Sequence, residues 1–181
     1  AGIGISGDLD GNATIVVTKA QSVDVYVWKV TNGVVNPTPQ KYAFPVATPS
    51  FYWSVVPMPI GTPGYMGFFS TSATNGLIWM NSTMGEVSRS SGVRTSGGDV
   101  ITINGRVYVA YTAYSGDQKG VMRICDITDG KFNQIFNYTM EASGANGNST
   151  ASACLMVKNN ELYAVFGCTG SGLYFYRIAC R

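Results

Sequence analysis

The chain reads as an all-β protein, a β-propeller or partial propeller of about four antiparallel, four-stranded repeats. Three observations predict this. Hydrophobic residues make up 45% of the 181 positions and charged residues only 12%, while Gly, Ser, Thr, Asn and Tyr abound, a composition of strands and turns around a sizeable core. A strand, turn, strand unit recurs about every 40 to 55 residues, in the range of repeat architectures. Several of its strands are apolar at both parities, which an ordinary two-sheet sandwich does not require but blades packed face to face around an axis do.

The first unit runs from residues 13–18, through a polar loop, to residues 23–30 and the turn Thr31-Asn32-Gly33. The second comprises residues 65–69, a loop through Thr74-Asn75-Gly76 and residues 77–80. In the third, residues 106–111 and 121–127 flank the loop 115–120, and Thr128-Asp129-Gly130 follows. Residues 161–166, the loop 169–172 and residues 173–178 form the fourth. Repeat boundaries fall near 1–46, 47–96, 97–145 and 146–181 of a single domain.

Each unit is preceded by a shorter strand and a tight turn. Asp10-Gly11, Asn104-Gly105 and Asn159-Asn160 are dipeptides that supply the positive φ angles of two-residue hairpins. The turns after the second long strand lead into short segments near Val34 and Lys131, which makes a four-strand meander. No window carries apolar residues at a 3.6-residue period with caps, so helix is not expected.

These units resemble blades of β-propeller proteins. Turns such as Cys125-Asp126-Ile127-Thr128-Asp129-Gly130-Lys131 are similar to those of uncharacterised secreted or surface propellers of gut-type Bacteroidetes. The resemblance covers nearly the whole chain at the level of the repeat, without the WD dipeptide of WD40 blades or an Asp-box of the sialidase kind. It implies that connectors and the loops between second and third strands shape one face, and places Trp53, Arg94, Tyr114, Asp117 and Gln118 near a common ligand-binding surface. The fourth repeat supplies only three strands before Arg181, and Ile3 to Ser6 is needed as the first strand of the first repeat. Additional parent-chain sequence is therefore expected to complete the last blade, because residues 173–178 would otherwise form a long apolar edge.

Chemistry is sparse. Net charge is +2 with no basic run, which argues against nucleic acid as a partner. No segment is apolar and long enough to span a bilayer. The low charge and the sequons at Asn12, Asn81, Asn137 and Asn148 fit an extracytoplasmic setting, secreted, periplasmic or at the cell surface. Cys125, Cys154, Cys168 and Cys180 form no CxxC pair and His is absent, so no metal or other cofactor is implied; buried free thiols are the plainer reading, disulfides the other. Asp8-Leu9-Asp10-Gly11-Asn12 resembles the start of a calcium loop, but Lys19 stands where a closing Glu belongs, so a hairpin turn is expected.

A glycosidase needs two carboxylates facing one sugar, roughly 5 Å or roughly 6.5–9.5 Å apart. Asp24, Asp99 and Glu161 lie on or beside strands, whereas Asp8, Asp10, Asp117, Asp126 and Asp129 sit at turns. The expected function is a non-catalytic binding or scaffolding module at the cell surface, with carbohydrate as the first ligand class and a protein ligand as another. A propeller glycosidase or lyase using Asp24 and Asp99, and a purely structural repeat, are the alternatives.

Overall fold

The computed structural model describes residues 2–46, 53–70, 75–91, 95, 97–114, 120–139, 152–168 and 172–179. Among them there is no helix; every regular element is a β-strand, and four antiparallel sheets are arranged as the blades of a β-propeller.

Sheet 1 contains β1 (Gly2–Gly7), β2 (Ala13–Thr18), β3 (Asp24–Thr31) and β4 (Val34–Val35), with β5 (Gln40–Ala43) pairing the other half of β3. The meander thus has a split outer strand. Sheet 2 is β6 (Trp53–Pro57), β7 (Tyr65–Ser70), β8 (Asn75–Met80) and β9 (Glu86–Ser91) in chain order. Sheet 3 repeats that order with β10 (Gly98–Ile103), β11 (Arg106–Tyr114), β12 (Gly120–Asp126) and β13 (Asn133–Thr139). Sheet 4 has three strands among the described residues, β14 (Ser152–Lys158), β15 (Glu161–Cys168) and β16 (Gly172–Ile178). Gly2–Gly7 pairs with β2 and not with β16, the role expected of it as first strand of the first sheet.

The hairpins form where turn chemistry demands them. Asn32-Gly33 has φ of 50° and 77°, Asn104-Gly105 of 51° and 74°, and Asn159-Asn160 of 52° and 62°. Paired left-handed residues match the twist of the flanking strands. A register shift at Trp79/Met80 in sheet 2 recurs at Ile124/Cys125 in sheet 3, so the same irregularity marks the third strand of two blades.

The core lies between sheets. Val16, Val25, Val27 and Phe44 of sheet 1 meet Trp53, Val55, Phe69 and Ile78 of sheet 2. Met66, Phe68 and Leu77 on the other face of sheet 2 meet Val107, Val109, Tyr111 and Val121 of sheet 3. Tyr108, Ala110, Met122 and Ile124 in turn meet Leu155, Leu162, Ala164 and Phe166 of sheet 4. Consecutive residues of β11 therefore face different neighbouring sheets, the physical reason for apolarity at both parities. The innermost strands come close: a Cβ on Gly4 would sit 2.5 Å from the Val55 carbonyl oxygen and 2.7 Å from Val56 Cα, so sheets 1 and 2 pack at a distance that glycine permits.

Candidate functional site

Aromatic and polar residues of β11, β12, β13 and β16 converge between sheets 3 and 4. The start of β11 and the end of β12 are locked together first. Asp126, 4% exposed, accepts hydrogen bonds at Oδ1 from the Thr128 hydroxyl (2.6 Å) and the Thr128 amide (3.0 Å). The Thr128 hydroxyl oxygen accepts from the Val107 amide at 2.9 Å, and the Ile127 amide donates to the Val107 carbonyl at 2.9 Å. Arg106 completes the arrangement by pairing with Asp126 Oδ2 at 2.5 Å. Burial alone would raise the Asp126 pKa, but the Thr128 donors and the Arg106 guanidinium outweigh it and hold the carboxyl below its ordinary value. The surroundings of this aspartate favour its ionised form.

Arg106, Tyr108, Asp126, Phe136, Arg177 and Ile178 are among the residues that line a cleft of about 480 Å³ at this point. Arg177 of β16 is among the lining residues, and its guanidinium pairs with Glu161 at 3.4 Å, an exposed and therefore weak pair. A guanidinium carries five donors, so Arg177 can keep its carboxylate and still bind a second acceptor. From Phe136 an aromatic run continues along the seam: its ring lies 4.9 Å from that of Tyr176, which lies 6.2 Å from Tyr138. Tyr138 is 42% exposed.

The residues singled out from the sequence are placed differently. Trp53 opens β6 with its side chain in the core, 3% exposed, its ring 4.9 Å from Phe44, and it takes no part in this cleft. Arg94, Asp117 and Gln118, with the side chain of Tyr114, lie outside the described residues. Asp24 on β3 pairs with Lys41 at 3.0 Å, whereas Asp99 on β10 accepts from the Leu155 amide at 2.8 Å. The two carboxylates thus belong to sheets 1 and 3, each with its own partner.

Asp8 closes the first hairpin by accepting from the amides of Asp10 (3.0 Å) and Asn12 (2.9 Å), the turn role expected of it. Among the described residues no group of three His, Cys, Asp or Glu side chains could hold a metal ion. Cys125 is buried and Cys154 exposed, both as free thiols, while the side chains of Cys168 and Cys180 lie outside the described residues. Three sequon asparagines have structural work: Asn12 donates to Asp8 (3.0 Å), Asn81 accepts from the amides of Thr83 and Gly85, and Asn137 accepts from Arg123 (2.9 Å).

Arg106, Asp126, Phe136 and Arg177 were not apparent as a group in the sequence. Asp126 two residues before Thr128 is a legible turn signal, but only the stacking of sheet 4 on sheet 3 brings Arg177 to it. No protein-family model matches the chain, and no curated protein is similar to it in sequence.

Proposed function

We propose that this chain is a non-catalytic binding module whose ligand is a carbohydrate, seated in the cleft between sheets 3 and 4. The observation that carries the reading is a cleft lined by Arg106, Phe136 and Arg177 and continued along the same seam by the rings of Tyr176 and Tyr138. Sugar rings present apolar faces that suit Phe136, Tyr176 and Tyr138, and hydroxyl or carboxylate groups that suit Arg106 and Arg177. Arg177 is held to Glu161 only by an exposed 3.4 Å pair, so the carboxylate of a uronic-acid residue is favoured as a competing partner at the arginine end. Asp126 is committed to Thr128 and Arg106, which supports binding over turnover. An uncharged polar surface fits an extracytoplasmic setting, where glycans are met.

The test is a glycan array holding neutral and acidic oligosaccharides, run beside a turnover screen on the same compounds. Retention of uronic-acid glycans without cleavage is expected, and it weakens in Tyr138→Ala and Arg177→Ala. Cleavage, or retention indifferent to both substitutions, contradicts the proposal.

A further inference from the structure

The packing that joins sheets 1 to 2, 2 to 3 and 3 to 4 uses one face of each sheet for the preceding neighbour and the other for the following one. By that rule sheet 1 has an unused preceding face and sheet 4 an unused following face. The first carries the cross-strand rows Ile5–Ile15–Trp28 and Ile3–Val17–Tyr26–Lys41. On the other lie the rows Cys154–Val165–Phe175 and Met156–Tyr163–Arg177. Ile3 is 73% exposed, Ile5 66%, Leu173 67% and Phe175 71%, so these two faces do not cover one another.

Both faces are built like the internal joints. Row Val100–Val109–Cys125 of sheet 3, buried against sheet 2, has the apolar character of Ile5–Ile15–Trp28. Each unused face also carries one ion pair at its outer margin, Lys41 with Asp24 on sheet 1 and Arg177 with Glu161 on sheet 4. An apolar centre with charge confined to the margin is the anatomy of a protein interface rather than of a solvated sheet.

We propose that the following face of sheet 4 docks on the preceding face of sheet 1 of a second copy of this chain, head to tail. The joint continues an interface the fold already makes three times. Two copies joined at both ends contribute eight sheets, the upper end of the usual propeller size, and leave neither face exposed; three copies would give twelve. The two readings share Arg177, which lines the cleft and pairs with Glu161 at the margin of the docking face, so the dimer is tested at Phe175 and Ile5, which do not line the cleft.

Light scattering coupled to size exclusion tests it. The wild-type chain is expected at twice its 19.3 kDa. Phe175→Glu blocks one face and Ile5→Glu the other, and each variant alone is expected as a monomer with the wild-type far-ultraviolet dichroism. Mixed in equal amounts, the two variants retain one intact joint and are expected to form a mixed dimer at a higher dissociation constant. A wild-type monomer across the concentration range overturns the proposal, as does an open polymer. So does a Phe175→Glu chain that still dimerises by itself, since that requires pairing of like faces.

Discussion

The carboxylate of Asp99 on β10 accepts the backbone amide of Leu155 on β14 at 2.8 Å, a hydrogen bond between the innermost strands of two different sheets. Its other oxygen accepts the amide of Val100 at 2.9 Å. Leu155 is otherwise a core residue of the joint between sheets 3 and 4, so the bond fixes how those sheets meet. Asp99→Ala leaves the amide without its acceptor and is expected to cost about 1–3 kcal/mol. Asp99→Asn, which keeps an acceptor oxygen, should cost less. Urea denaturation measures the difference, and faster exchange of the Leu155 amide in the alanine variant places it at the joint.

Close packing of innermost strands predicts a contrast between two glycines. Gly4→Ala pushes a methyl group against the Val55 carbonyl and Val56, and overpacking of this kind is expected to cost about 1–3 kcal/mol. At Gly97 the nearest atom to an added Cβ is Ser54 Oγ at 3.5 Å, so Gly97→Ala should stay within about 0.5 kcal/mol of wild type. Thermal melts of the two variants separate the cases.

Alkaline titration reads the burial of two tyrosines. Burial, with a smaller contribution from Tyr42, pushes Tyr65 up to about 12, and burial followed by the nearby Cys125 raises Tyr111 further. Both ionise more readily once unfolded, near pH 10. A raised folded pKa contributes stability that is complete below the unfolded value and is lost as pH rises through the folded one. Stability is therefore expected to fall between about pH 10 and 12, and absorbance at the tyrosinate band should show these two rings ionising only with unfolding.

Asp126 has the opposite sign. Desolvation opposes its ionisation, but the Thr128 donors and Arg106 prevail and depress its pKa. Its contribution is present above the unfolded value of about 3.9 and is lost as pH falls below that toward the folded pKa. Asp126→Asn should flatten the acid limb of the stability curve while leaving the alkaline limb in place, as denaturation midpoints between pH 2 and 7 would show.

Much of the architecture was legible because it is local. Asn32-Gly33, Asn104-Gly105 and Asn159-Asn160 announce their hairpins through backbone chemistry alone, and the double-sided apolarity of residues 107–111 announces a sheet covered on both faces. What was hidden depends on how sheets stack. Trp53 follows a proline-rich connector in the sequence, yet its ring fills the joint between sheets 1 and 2 beside Phe44. Arg106 and Arg177 are far apart in the chain with ordinary neighbours, and only the seam between sheets 3 and 4 brings both to one cleft. Tyr26 and Trp28 are strand aromatics left half-buried because their face of sheet 1 has no preceding sheet against it.

Titration calorimetry of an oligogalacturonate into the wild-type chain and Arg177→Ala tests the central claim, a glycan site at the seam of sheets 3 and 4, most directly. The wild-type chain is expected to bind, and loss of the Arg177 guanidinium to weaken binding by about tenfold, equivalent to about 1.4 kcal/mol. Absence of heat from the wild-type chain, or an unchanged dissociation constant in Arg177→Ala, would contradict it.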